Sequence, residues 1–136
     1  MLKQGGGKIF NMEGLGSDGF MLDGMSVYGT SKSALAYFTR SFAHEARGGS
    51  VQIGTLSPGM VVTDMLLGTV SDGSPESLKK KKFFNMMADD VETVSGFLSG
   101  RILASTAQSP RIRWFTKPRM LGKFLIAPFR KREFFS

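Results

Sequence analysis

The chain has 136 residues and a net charge of +7, a length that allows one domain with a modest core. It contains no cysteine, which excludes disulfides, thiolate metal sites and cysteine nucleophiles. Its single histidine, His44, reads as a surface residue of a helix; alone it builds neither a metal site nor a serine triad.

The charge is unevenly placed. Residues Met1 to Gly68 carry five Lys/Arg and five Asp/Glu, whereas Thr69 onward carries thirteen basic and six acidic residues. The excess is therefore a feature of the second half, an appended surface rather than a uniformly basic domain. No run reaches the roughly 18 apolar residues of a membrane span. The opening Met1-Leu2-Lys3-Gln4-Gly5-Gly6-Gly7 reads as neither a signal nor a transit peptide.

In chain order, Lys8 to Met12 is a short apolar run that predicts a buried strand. A glycine-rich loop follows from Gly14 to Gly24. A helix is predicted from about Ser26 to Arg47, with Leu35, Phe38 and Phe42 at helical spacing and Gly48-Gly49 as its stop. Val51 to Ser57 is the next strand, ending at Pro58-Gly59. Strand, long helix and strand make a βαβ unit with parallel strands and a right-handed crossover. Ligands of such sheets bind beyond the carboxyl ends of the strands, where Gly14 to Ser17, Tyr28 and Pro58 to Thr63 fall. A second helix is predicted from Ser74, with Pro75 at its first position, and a third from Asp89 or Asp90 to Leu103. Arg111 to Phe115 reads as a last strand. The fold expected is α/β, with residues 1–116 as the domain and 117–136 as a basic, apolar tail.

Within the first helix, Tyr28 and Lys32 are four residues apart and share a face, phenol beside ammonium. A cation beside a phenol favours the phenolate, which makes the pair a usable acid and base for a carbonyl or an alcohol. The same spacing also occurs on an ordinary half-exposed helix face.

Taken together, Ile9-Phe10-Asn11-Met12, Tyr28-x-x-x-Lys32 and Ser57-Pro58-Gly59-Met60-Val61-Val62-Thr63 resemble the second half of the short-chain dehydrogenase/reductase family in order and spacing. The chain is most similar to the chlorophyll b reductase branch, through Asn11 to Ser17, Val27-Tyr28-Gly29, Ser57 to Asp64, Glu92-Thr93-Val94 and Phe115 to Arg119. The resemblance implies a Rossmann-like, doubly wound parallel sheet, here incomplete, and hydride transfer from NADPH or NADH to a carbonyl. It further implies that Tyr28 donates the proton. Lys32 would tune Tyr28 and hold the nicotinamide ribose, and Pro58, Gly59, Val61 and Thr63 would hold the nicotinamide. The implied substrate is the formyl group of a chlorin, and the implied location is the chloroplast thylakoid surface; outside that branch the cytoplasm is expected.

The sequence departs from the family twice. The active-site serine would fall at Gly14, which leaves Ser17 as the nearby hydroxyl able to polarise a carbonyl. The front half, with its glycine-rich phosphate-binding fingerprint, is missing, so the chain alone is expected to lack turnover. A rival reading is a non-catalytic half-domain that binds a full-length relative, a second copy or a membrane. Lys79 to Lys82 reads as a solvated helix face, and no nucleic-acid partner is expected. The tail places Met120, Leu121, Phe124, Leu125 and Phe129 at helical spacing with Lys123, Arg130, Lys131 and Arg132 beside them. It is expected either to dock on a membrane surface or to pack on protein, with Pro128 limiting its helix.

Overall fold

The computed structural model describes residues 1–68, 70, 73–127 and 134. After a short 3-10 turn at Leu2–Gln4 come β1 (Gly7–Met12), α1 (Ser26–Glu45), β2 (Val51–Ser57), α2 (Asp64–Gly68), α3 (Pro75–Met87), α4 (Val91–Ala104), β3 (Arg111–Arg113) and α5 (Lys117–Ile126). The chain forms two compact units, Met1–Pro58 with Leu98–Arg113, and Gly59–Phe97 with Trp114–Ser136.

The first unit holds the sheet. Its strands lie in the order β1-β2-β3, all parallel, with Gly7 opposite Val51 and Thr55 opposite Arg111. Among the described residues, the outer edge of β1 carries no strand, as expected of a partial doubly wound sheet. The middle strand is buried nearly throughout, which explains why all its residues but Gln52 are small or apolar. Helix α1 buries Ala36, Thr39 and Ala43, a helical spacing, and Ala43 packs with Val51, Ile53, Ile9, Phe42 and Ala46. The helix ends at Glu45, slightly before the expected Arg47. The carboxyl end of α4 is closed from outside: the Lys8 ammonium donates to the carbonyls of Ile102, Leu103 and Ser105 at 2.8, 2.9 and 2.7 Å. Ile102 and Leu103 lie in the last turn of α4 and Ser105 just beyond it; the Ile102 carbonyl also accepts from the Ser105 N–H at 3.3 Å, and a cation suits that end.

The second unit is helical. Ser74 caps α3 by accepting from the Ser77 N–H at 3.1 Å, with Pro75 at the first position, as the sequence indicates. Asp90 does the same for α4 through the Thr93 N–H at 2.7 Å. The short helix α2 has no counterpart in the sequence expectation. It starts beside Thr63, whose hydroxyl accepts from the Leu66 N–H at 3.4 Å. Val70 and Ala88 form the buried centre, with Met60, Val62, Leu66, Phe84 and Phe134 around them.

Asp89, 6% exposed, accepts from Trp114 Nε1 at 2.7 Å and pairs with the Lys123 ammonium at 2.7 Å. Lys123 also donates to the carbonyls of Met87 and Ala88. The Arg119 guanidinium lies 3.4 Å from the centre of the Trp114 ring and bonds the Trp114 carbonyl. β3 stops at Arg113, short of the expected Phe115, where its partner β2 ends at Ser57 before Pro58, which has no N–H to pair. The tail also differs from the expectation: Lys123 does not flank the apolar stripe at the surface but is drawn inward by a buried carboxylate. Helix α5 thus turns Lys123 to the protein and leaves Leu121, Phe124 and Leu125 largely exposed. The remainder of the tail reading, Pro128, Phe129, Arg130, Lys131 and Arg132, lies outside the described residues.

Candidate active site

Three segments of the first unit build the site: the end of β1, the loop that follows it, and the first turns of α1. The loop is seated on the helix by glycine. Gly16 has φ of +96°, and a Cβ there would stand 2.6 Å from the Gly29 Cα, so two glycine backbones touch. Only glycine combines that conformation with that approach. The seam is closed by the Ser33 hydroxyl, which donates to the Gly16 carbonyl at 2.5 Å. Deeper in the unit, Asn11 Nδ2 donates to the Thr39 hydroxyl at 2.9 Å, and Thr39 donates to the Leu35 carbonyl at 2.7 Å. These bonds satisfy buried polar groups and tie β1 to α1.

The seam brings Tyr28, Lys32, Gly14 and Ser17 together. Lys32 Nζ is 5.8 Å from the centre of the Tyr28 ring, and both side chains are half-buried. One ammonium proton goes to the Met12 carbonyl at 3.2 Å, which leaves two donors. The Tyr28 hydroxyl makes no hydrogen bond among the described residues. A Cβ on Gly14 would lie 2.5 Å from the Tyr28 oxygen and about 3 Å from the Lys32 stem. The phenol therefore occupies space that a side chain at position 14 would claim. Glycine at the family's serine position is part of the fit between loop and helix. The Ser17 hydroxyl accepts from the Gly14 N–H at 3.0 Å, while its own proton has only the Lys32 carbonyl, at 3.5 Å.

The other residues singled out from sequence, Gly59, Val61 and Thr63, belong to the second unit, and Pro58 ends the first. Gly59 has φ of +75°, and a Cβ there would meet Phe115 at 2.6 Å, so the Pro-Gly turn requires its glycine. Val61 then forms an isolated parallel bridge with Asp89. In that bridge the Val62 N–H donates to Asp89 and the Met60 carbonyl accepts from Asp89, both at 3.0 Å. The N–H and carbonyl of Val61 itself stay without partners among the described residues. A donor and an acceptor side by side on extended backbone match a primary carboxamide, so this stretch fits the nicotinamide end of a dinucleotide.

The phosphate end finds no such fit. Gly14-Leu15-Gly16-Ser17-Asp18-Gly19 has the literal spacing of a glycine-rich fingerprint after a strand, but α1 starts only at Ser26. The space beside Gly14 and Gly16 is filled by Tyr28 and Gly29 in the first turn of that helix and Gly19 meets nothing, so the loop does not lead from strand directly into a helix as a phosphate-binding turn does. Sequence reasoning missed two contributors, the Gly16–Gly29 contact and the Glu13–Arg111 pair described below. The concentration of glycines opposite a Gly in the Tyr-x-x-x-Lys turn was the available signal for the first.

Known proteins resemble the chain in sequence and in fold. The family model for short chain dehydrogenase matches residues 1–72. A protein of Oryza sativa subsp. japonica named "probable chlorophyll(ide) b reductase, chloroplastic" is 37% identical over 133 residues, covering 98% of this chain and 25% of that protein. A chloroplastic chlorophyll(ide) b reductase of Arabidopsis thaliana is 38% identical over 106 residues, covering 75% of this chain and 29% of its own. The chain thus spans about a quarter of the length of these relatives. The L-sorbose reductase of Gluconobacter frateurii, solved with NADPH and L-sorbose, superposes with a TM-score of 0.66 at 17% identity, over 83% of this chain and 47% of that one. At that identity the likeness is one of fold.

Proposed function

The chain belongs to the short-chain dehydrogenase family, and we propose that it is the catalytic half of an NADPH-dependent reductase acting on the formyl group of chlorophyll b or a related chlorin. The observation that carries this reading is the Tyr28 hydroxyl, without a hydrogen bond among the described residues and set four residues before an ammonium with two donors unused there. Tyr28 donates its proton to the substrate oxygen as that oxygen gains negative charge. The Lys32 cation stabilises the charge left on the phenol oxygen, and its spare donors suit ribose hydroxyls. Ser17, already holding the Gly14 N–H, has a weakly engaged proton with which to orient the substrate carbonyl. Val61 would hold the nicotinamide carboxamide through its backbone pair, with Gly59 shaping the turn, Pro58 entering it and Thr63 following. The nicotinamide, when bound, would supply the hydride.

Residues 1–136 alone bind NADPH weakly, since the described residues provide for its nicotinamide end only; calorimetry should show no micromolar affinity. The relatives' names support a chloroplast location. No helix of the described residues is long and apolar enough to cross a membrane. The exposed apolar side of α5 is the surface assigned here to contact with the thylakoid. Flotation with anionic liposomes that is unchanged by Leu121→Ser/Phe124→Ser would rule that side out.

The function itself is tested by fusing the chain behind the phosphate-binding half of a relative and supplying NADPH and chlorophyll b. The expected product carries hydroxymethyl in place of formyl. Turnover of simple carbonyls with none of the chlorin would keep the family chemistry and reject the substrate. A second reading, a non-catalytic module that completes a longer relative or a second copy, draws on the unpaired edge of β1. It predicts a stable complex with such a relative and no product from the fusion.

A further inference from the structure

We propose that Glu13 and Arg111 are positioning residues for Tyr28, a role that rests on reading Tyr28 as the reacting phenol. The Arg111 guanidinium grips the Glu13 carboxylate with two bonds, Nε to Oε1 at 2.7 Å and a terminal nitrogen to Oε2 at 2.8 Å. The Glu13 side chain is only 8% exposed while that of Arg111 is 43% exposed, so the carboxylate is withdrawn from water and is held in a two-bond fork by a guanidinium at the surface.

Strand alternation shows where this clasp lies. Asn11 faces α1 through its bond to Thr39, and Glu13, two residues on, shares that side. Asn11 stands opposite Thr55, and Thr55 opposite Arg111, so the clasp crosses the middle strand on the face toward α1. The Glu13 N–H extends the β1–β2 ladder by donating to the Leu56 carbonyl at 2.7 Å. Backbone and side chain of Glu13 are thus both fixed immediately before Gly14. Gly14 is the seat on which the Tyr28 oxygen rests, with no room for a methyl group between them. A loop released at Glu13 moves that seat, and the phenol moves with it.

The experiment reads the phenol directly and needs no turnover. The chain contains two tyrosines, Tyr28 and Tyr37, and Tyr37 is 69% exposed on α1, a built-in control. With 3-fluorotyrosine incorporated and the signals assigned through Tyr37→Phe, the fluorine resonance of Tyr28 is compared in wild type, Glu13→Gln, Arg111→Gln and the double variant. The expected result is a displaced or broadened Tyr28 resonance in each single variant, an unmoved Tyr37, and no further displacement in the double. An unmoved Tyr28 in either folded single variant overturns the proposal. Should Arg111→Gln unfold, Arg111→Lys decides: it keeps the charge and loses the fork, so a displaced Tyr28 supports positioning and an unmoved one rejects it. Failure of the reductase reading would look different, as full activity without the Tyr28 hydroxyl and an intact clasp.

Discussion

The two units of this chain solve the same problem, fixing loops against helices, in opposite ways. In the first, the loop after β1 is seated by glycine backbones and a serine hydroxyl, and its polar groups are left over among the described residues: a phenol hydroxyl without a hydrogen bond and an ammonium with two spare donors. In the second, the charged groups are themselves the fastening. Asp89, Lys123, Trp114 and Arg119 consume one another's bonding capacity, and nothing of Lys123 remains for a ligand or a surface. A reactive site needs the first arrangement, because a group already satisfied by the fold has little to offer a substrate. Charge counted in the sequence is therefore not charge available on the molecule.

The largest effect is expected from breaking the second arrangement. Asp89→Asn leaves the Lys123 ammonium partly buried without its counter-charge, which costs about 3–5 kcal/mol. Trp114, the single tryptophan, reports it: its emission shifts, while the fluorine signal of Tyr28 stays in place. Combining Asp89→Asn with Lys123→Met removes both charges and recovers part of the loss, as expected when a pair is deleted rather than split. A smaller but still clear effect follows from breaking the glycine seam. Gly16→Ala meets a left-handed backbone conformation, worth about 1–3 kcal/mol, and a clash with Gly29 besides. Denaturant unfolding should show the loss, and here the Tyr28 resonance moves and the Trp114 emission does not.

The smallest effect concerns Asp90, fully exposed at the start of α4, whose carboxyl is held below its ordinary value of 3.8 chiefly by the Thr93 N–H. A lowered folded value means the carboxylate stabilises the native state above the unfolded value and loses that contribution as pH falls through the folded one. Wild type should therefore exceed Asp90→Ala in melting temperature at pH 7 and pH 5. The gap should close progressively below about pH 3.8. A gap that widens in acid would contradict the assignment.

Much of the first unit was legible in the sequence because its determinants are local. The strand at Lys8 to Met12, the glycine stop after α1 and the Tyr28–Lys32 spacing each depend on neighbours in the chain, as do the caps at Ser74 and Asp90. What stayed hidden depends on distant partners. Nothing near Lys123 signals that Asp89, 34 positions earlier, will draw it inward and turn α5 over. Equally, nothing near Glu13 signals that β3 will bring Arg111 across the sheet to it. Position 14 was legible as a departure from the family's serine, but its consequence was not. Only the folded seam shows that the Tyr28 oxygen fills the space.

The central claim, that a free phenol in the first unit is the proton donor of a reductase, is tested most directly by Tyr28→Phe in the fusion with a phosphate-binding half. The change removes one oxygen and no fastening of the fold. Turnover should fall about 10²–10⁴-fold while NADPH affinity and unfolding midpoint stay near wild type. Undiminished turnover in Tyr28→Phe would take Tyr28 out of the mechanism and the account with it.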